Sequence, residues 1–204
     1  MASIRGEFYP LVEHFYSVQG EGYWSGQPAF FLRLGGCDVG CSWCDTRYSW
    51  PQTGWATYSA EALVELVRAT PAPHVVLTGG EPTLHALEPL IAALQEAGYF
   101  VQLETSGAYP PPSVLPNWIT FSPKRFKAPH PAWYELAQEL KVVIHAPSDL
   151  EWAEAQRRRC PPALPAFLQP DYYQPKAVQW ILEYIKAHPS WRLSVQVHRY
   201  LAIP

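Results

Sequence analysis

The chain has 204 residues, 48% of them hydrophobic, with a formal net charge of -3 and seven histidines. A chain of this length buries most of its unfolded surface without disulfide staples and fits a single domain over 1–204. Its charge balance excludes a global field for nucleic acid or an acidic membrane, and no apolar run is long enough to span a bilayer.

Periodicity reads as an alternation of apolar runs and amphipathic stretches. Residues 29–34 (AFFLRL) predict a strand. A helix follows over 59–70, with Ser59 as N-cap, Glu61 in the first turn and Leu63, Leu66 and Val67 on one face. The next strand, 74–78 (HVVLT), runs into Gly79-Gly80. A helix over 86–97 groups Leu87, Leu90, Ile91 and Leu94, and Gly98 stops it. Strands are expected near 100–105, 118–122 and 139–144. Ser148 and Glu151 read as a capping box for a helix to about Arg159, whose tail Arg157-Arg158-Arg159 reads as a solvated face. A short strand at 166–169 precedes a helix with Pro175 as its first residue and Val178, Ile181, Leu182 and Ile185 along it. The last strand is expected over 193–198. The twenty-two prolines cluster at Pro110-Pro111-Pro112, Pro129/Pro131 and Pro161-Pro162/Pro165, as stiff loops between elements.

Such alternation implies right-handed crossovers and a mostly parallel sheet. The length falls short of the roughly 250 residues of a full eightfold barrel, so the expected fold is α/β, an incomplete, open (β/α) barrel. Ligands of such sheets meet the loops at the carboxyl ends of the strands. The polar and glycine-rich segments GGC, TGGEP, ETSG, SPK and LQPD all fall at those ends.

Residues 1–5 lead toward Tyr9 without the apolar core of a signal peptide, so a soluble cytoplasmic protein is expected. Thiols stay reduced there, and closely spaced cysteines point to metal or catalysis. Cys37, Cys41 and Cys44 lie within eight residues, in a loop that Gly35, Gly36 and Gly40 allow to turn tightly. The spacing leaves two readings open. Three thiolates suit an iron–sulfur cube with one open iron; a zinc ion would need a fourth ligand such as Cys160, His14 or another histidine. Otherwise Cys160 is a lone thiol. Taken alone, Gly79-Gly80 also reads as a strand-to-loop turn, Arg33 as a surface ion-pair partner, and Thr46 as a turn or cap.

C-x3-C-x2-C followed by Asp45-Thr46 resembles the cluster loop of radical S-adenosylmethionine enzymes. Further matches run nearly the length of the chain: Ser17-Val-Gln-Gly-Glu-Gly22, Arg33, Thr78-Gly-Gly-Glu-Pro82, Glu104-Thr-Ser-Gly107, Ser122-Pro-Lys124, Leu168-Gln-Pro170 and the ending Gln196-Val-His-Arg-Tyr-Leu-Ala-Ile-Pro204. Together they resemble the 7-carboxy-7-deazaguanine synthase family. TGGEP and the cysteine spacing indicate only the superfamily; Q-G-E-G, C-D-T and the terminal proline narrow it.

The resemblance implies a radical SAM core in which Cys37, Cys41 and Cys44 hold one 4Fe–4S cluster that binds S-adenosylmethionine. Contacts to that cofactor are implied for Gly79, Gly80, Glu104, Ser106, Ser122, Pro123, Lys124, Gln169, Pro170, Asp171 and Tyr172. Many relatives carry Asn at the Ser106 position. Implied substrate contacts are Val18, Gln19, Gly20, Arg33, Thr78 and the Pro204 carboxylate, with Arg33 facing the carboxylate of a pterin. Thr46 matches a Mg²⁺ ligand. The implied reaction turns 6-carboxy-5,6,7,8-tetrahydropterin into 7-carboxy-7-deazaguanine with loss of ammonia, starting with hydrogen abstraction at C6. Implied partners are a flavodoxin or ferredoxin as electron donor and a second copy in a homodimer. The rivals are an activating enzyme for a glycyl-radical protein and a zinc-binding RNA module; dispersed charge argues against the latter.

Overall fold

The computed structural model describes residues 8–204, so the reading of 1–5 lies outside the described residues. Among these, the strands are β1 (Tyr9–Val18), β2 (Pro28–Leu34), β3 (Ala56–Tyr58), β4 (His74–Gly79), β5 (Phe100–Thr105), β6 (Trp118–Phe121), β7 (Glu139–Ile144), β8 (Ala166–Pro170) and β9 (Trp191–Leu193). The α-helices are α1 (Ala60–Arg68), α2 (Glu88–Glu96), α3 (Trp133–Leu136), α4 (Ser148–Arg157), α5 (Ala177–Ala187) and α6 (Val197–Leu201). One sheet runs in the order β3-β1-β2-β4-β5-β6-β7-β8-β9. From β2 to β9 every pairing is parallel, while β1 pairs antiparallel with β2 and β3. β3 and β9 stand at the two edges, so the mostly parallel barrel stays open, as expected.

The period-2 alternation of the strands sorts their side chains into two faces. Phe30, Leu32, Leu34, Val75, Leu77, Val101, Leu103, Ile119, Phe121, Leu140, Val142, Ile144, Ala166 and Leu168 join one buried core with α1 and α2. The intervening residues face the inside of the curved sheet. There Arg33, Thr78, Glu104, Lys141 and Gln169 line a cavity, beside a small apolar cluster of Ala29, Phe31 and Val76. A strand that buries both faces is normally apolar throughout, so polar inward residues mark a site.

The loop between β1 and β2 closes the amino-terminal end of this interior. Trp24 packs edge-on against Phe100 and Trp118, both at 5.2 Å, and against His74 at 5.9 Å. These three residues begin β5, β6 and β4. Burial there pushes the His74 imidazole down to about 4. With that end plugged, the carboxyl ends of the strands are left as the mouth.

Several local expectations hold. Ser59 caps α1, accepting from Ala62 N at 3.2 Å, and Gly98 ends α2 at φ +88°. Leu87, Leu90, Ile91 and Leu94 are all fully buried. Others need correction. α2 begins at Glu88, not at 86, which keeps Pro89 inside the first turn where its missing N–H costs nothing. Ser148 caps nothing; Asp149 instead reaches back to the N–H groups of His145 and Ala146, at 2.9 and 2.8 Å. Pro175 precedes α5, because a turn over Asp171–Gln174 delays the helix, and Leu182 is exposed. The strand expected over 193–198 ends at Leu193 and gives way to α6. Strands β1 and β3 and helix α3 were not anticipated.

Candidate functional site

At the carboxyl ends of the strands lies a cavity of about 450 Å³, lined by every predicted site residue except Pro123. Pro123 is buried behind its neighbours. The cavity draws on six strands, β1, β2, β4, β5, β7 and β8, and on loops at the carboxyl ends of the sheet, so residues far apart in the chain meet in one place.

Cys37, Cys41 and Cys44 all line it as free thiols. Their loop is pinned by backbone bonds: Gly36 N to Ser49 O at 2.8 Å, Cys37 N to Trp50 O at 3.1 Å and Cys44 N to Cys41 O at 3.2 Å. Among the described residues no three His, Cys, Asp or Glu side chains are placed around a single ion. The three thiols open onto the same cavity. Burial pushes the Cys41 thiol up to about 11 and raises Cys37 as well. Loading metal on these thiols must therefore release protons. Neither Cys160 nor His14 lines the cavity. Cys160 is buried against α4, its thiol 3.6 Å from Gln156 O, and His14 stacks on Phe30.

Gly79 and Gly80 form wall without side chains, and their nearest neighbours explain them. A Cβ on Gly79 would stand 2.2 Å from Leu34 O, and one on Gly80 2.3 Å from Gly36 O and 2.7 Å from Cys37 Cβ. The end of β4 is thus pressed onto the cysteine loop itself. Next in chain, Glu81 is buried, and its carboxylate accepts from Thr83 N at 3.2 Å, the Thr83 and Thr105 hydroxyls at 2.6 Å, Ser106 N at 2.8 Å and the Ser106 hydroxyl. The ETSG turn is held by that one carboxylate. Lys124 is anchored by Ser122 O and Oγ, and burial draws its ammonium below the usual range.

Arg33 does not stand alone. Its Nε donates to Glu13 Oε1 at 2.6 Å, and the Tyr48 hydroxyl donates to the same oxygen at 2.8 Å. Glu13 thereby fixes the plane of the guanidinium beside the cavity.

Of a buried polar network beside the cavity, sequence reasoning singled out only Glu104 and Gln19. Lys141, buried on β7, donates to Glu21 Oε2 at 2.6 Å and Glu104 Oε2 at 2.8 Å. Glu104 Oε1 accepts from Gln102 at 2.9 Å and Gln19 at 3.4 Å. Burial opposes the charge on Lys141, but Glu104, Glu21 and Glu139 hold it protonated beyond the ordinary lysine range. Burial likewise works against ionised Glu21, and Lys141 overcomes it, drawing that carboxyl down to about 2. The signal was present: in Glu139-Leu-Lys141-Val-Val-Ile144, charges recur at period 2 on a strand whose other face is apolar.

Glu139 sits below this pair, accepting from Thr120 Oγ1 at 2.6 Å and Tyr23 N at 2.7 Å. Burial, with the nearby Glu104 charge, pushes it up to about 7 from an ordinary 4.5. Its folded pKa lies above its unfolded one, so its contribution to stability is full below pH 4.5 and is lost as pH rises through 7. Urea unfolding across that window should show a loss on the order of 3 kcal/mol attributable to this residue. Glu139→Gln, which mimics the protonated acid, should flatten the slope; an unchanged slope would mean that Glu139 ionises freely in the folded protein.

The carboxyl-terminal segment straps over the cavity. Val197 N bonds Gly20 O at 3.1 Å, Gln196 Nε2 reaches Glu21 Oε1 and Asp45 Oδ2, both at 3.0 Å, and Arg199 pairs with Asp45 at 2.8 Å. A Cβ on Gly20 would meet His198 Nδ1 at 2.4 Å, so that glycine admits the strap. Ser17 Oγ donates to Pro204 O at 2.9 Å. Sequence reasoning did not single out Glu13, Glu21, Asp45, Lys141, Gln196, His198 and Arg199 as site residues. Their roles depend on partners distant in the chain.

Comparison with known proteins agrees with this geometry. The family model for the radical SAM superfamily matches residues 32–125. A 7-carboxy-7-deazaguanine synthase from Synechocystis is 45% identical over 96% of this chain and 93% of its own length, and one from Flavobacterium psychrophilum is 41% identical over 100% and 97%. The crystal structure of QueE from Escherichia coli superposes with a TM-score of 0.84 at 34% identity, covering 94% of this chain and 95% of that one. With the cysteine loop, the glycine-lined strand ends and the open parallel barrel, these likenesses show that the chain belongs to the 7-carboxy-7-deazaguanine synthase family of radical SAM enzymes.

Proposed function

We propose that this chain converts 6-carboxy-5,6,7,8-tetrahydropterin to 7-carboxy-7-deazaguanine with loss of ammonia, as a carbon–nitrogen lyase in 7-deazapurine (queuosine-type) biosynthesis. The observation that carries the reading is the meeting of three free cysteines, Arg33 and Pro204 around one cavity. Membership of the superfamily implies a 4Fe–4S cluster and S-adenosylmethionine, and the donor set fits them: three thiols around a space, beside a wall stripped of side chains at Gly79 and Gly80. When bound, these groups supply one-electron chemistry able to break a C–H bond of the substrate.

The chain's own residues bind, orient and enclose. Cys37, Cys41 and Cys44 hold the cluster. Gly79, Gly80, Ser106, Ser122, Lys124, Gln169, Pro170, Asp171 and Tyr172 line the cofactor's side, while Pro123 shapes that wall from behind. Glu104 contributes as a shared acceptor, since its oxygens already receive Gln19, Gln102 and Lys141. Arg33, its plane fixed by Glu13, takes the pterin carboxylate in a charge-assisted pair. Val18, Gln19, Gly20, Thr78 and Pro204 bound the substrate's other edges, and Thr46 offers a hard oxygen to Mg²⁺. The strap over 194–204 keeps water from the reacting centre. The whole chain acts as one domain in a cytoplasmic homodimer, reduced by a flavodoxin or ferredoxin. No helix among the described residues is long and apolar enough to cross a membrane.

Anaerobic incubation of the iron–sulfide-reconstituted chain with the pterin, S-adenosylmethionine, Mg²⁺ and dithionite should yield the deazaguanine acid. Substrate deuterated at C6 should pass label into the cofactor. Modification of a glycyl-radical peptide without pterin turnover would favour the activating-enzyme reading, and zinc without iron would end both.

A further inference from the structure

Trp50 closes the turn that follows the cysteine loop, and it touches two of the three cysteines. Its carbonyl accepts from Cys37 N at 3.1 Å, and its indole Nε1–H donates to Cys44 Sγ at 3.3 Å. The ring is well placed to hold that bond. Trp50 N bonds Arg47 O at 3.1 Å, and the fully buried Ser49 beside it anchors its hydroxyl on Thr46 O at 2.7 Å. Trp50 also lines the cavity. The other donors to these two sulfurs differ in kind. Cys37 is met by the backbone N–H groups of Val39 and Gly40, which no side-chain change removes. Thr46 Oγ1 lies 3.6 Å from Cys44 Sγ, in a contact either atom can donate.

An N–H group aimed at a ligand sulfur acts on the electron balance of the cluster that sulfur holds. The reduced cluster carries one more negative charge than the oxidised one, spread partly over its cysteine sulfurs. A positive N–H end pointed at that charge stabilises the reduced form more, and does so more strongly away from bulk water. We propose that Trp50 is a positioning residue that sets the reduction potential of the 4Fe–4S cluster through its N–H bond to the Cys44 sulfur. The inference rests on the cluster reading above. The step concerned transfers one electron to the cluster from a low-potential flavin or iron–sulfur protein, which is oxidised by one electron; no bond breaks and no proton moves.

Trp50→Phe keeps an aromatic ring and the backbone carbonyl that holds Cys37, and deletes the N–H with the rest of the bicyclic indole. Anaerobically reconstituted wild-type and Trp50→Phe proteins are matched for iron and sulfide, then titrated with dithionite-reduced viologens while EPR follows the reduced cluster. The variant's midpoint should lie at a more negative potential. At a fixed potential its reduced-to-oxidised ratio should be about threefold to tenfold lower, tenfold corresponding to about 59 mV for a one-electron couple. Coincident midpoints at equal iron loading overturn the proposal and leave the cluster reading standing. A wild-type protein that takes up no iron–sulfur cluster overturns both. If Trp50→Phe holds too little iron to titrate, Trp43→Phe protein carrying isotope-labelled indole nitrogen decides the matter, because it removes the other cavity-lining tryptophan. Pulsed EPR of its reduced cluster should then show a coupling to the labelled nitrogen, and absence of that coupling overturns the proposal.

Discussion

Lys141→Met should be among the most damaging single substitutions in the chain, costing about 3–5 kcal/mol of stability by leaving Glu21 and Glu104, whose side chains are each only 17% exposed, without their cation. For a chain of this size that corresponds to a fall in Tm on the order of 10 °C. The geometry explains the scale. Lys141 is only 4% exposed and lies 2.6 and 2.8 Å from two carboxylate oxygens. Methionine fills the volume but supplies no charge, so the carboxylates must repel, take protons or draw in water. Each response moves Gln19 and Gln196, which are bonded to the same two acids. Because those residues border the cavity, kcat/KM for the pterin should fall by about 100-fold, as expected when a binding surface moves by around an ångström. A double variant, Lys141→Met with Glu104→Gln, should recover part of the stability, since one uncompensated charge disappears. Thermal unfolding of the four proteins in that cycle checks the coupling. Additive losses would mean that Lys141 and Glu104 do not share a charge-balanced site.

The layered alternation of strand and helix was legible because hydrophobic burial writes it in a short period. Residues 29–34, 74–78 and 139–144 alternate or run apolar over a few positions, and each became a parallel strand. β1 was hidden by Pro10 and by Glu13-His14, which break the alternation where the ladder itself shifts register between Leu11 and Glu13. The segment 193–198 shows the opposite error. Its pattern suits a strand, and Ser194 N still bonds Leu168 O of β8, but Gln196 is drawn to Glu21 and Asp45. Polar contacts from distant parts of the chain bend it into α6. The site divides in the same way. Cysteine spacing and glycine motifs are local, and they led directly to the cavity wall. Glu13 behind Arg33, and Lys141 between Glu21 and Glu104, pair residues separated by 20, 120 and 37 positions. Local reading offers no partner at such distances, though the inward period-2 charges of β7 could have flagged them.

Gly80→Ala should separate packing against the cysteine loop from the backbone freedom usually credited to glycine. The added methyl would lie 2.3 Å from Gly36 O and 2.7 Å from Cys37 Cβ. Gly36 O is backbone, already accepting from Glu81 N at 2.9 Å, so it cannot rotate aside as a flexible side chain would. The loop must move as a unit, carrying Cys37 with it. Overpacking of this kind costs about 1–3 kcal/mol, but the larger effect should fall on the metal site. Iron bound after reconstitution should drop well below wild type, and turnover of what remains by about 100-fold. Gly40→Ala is the matched comparison. Gly40 lies in the same loop at φ +76°, with nothing within 4 Å of an added Cβ. Its alanine variant meets only the left-handed backbone penalty of about 1–2 kcal/mol, and should keep far more iron. If both variants load iron alike, the contact between the end of β4 and the cysteine loop does not position Cys37. If Gly80→Ala alone fails, the close approach of those two backbones is what holds the first cysteine at the cavity.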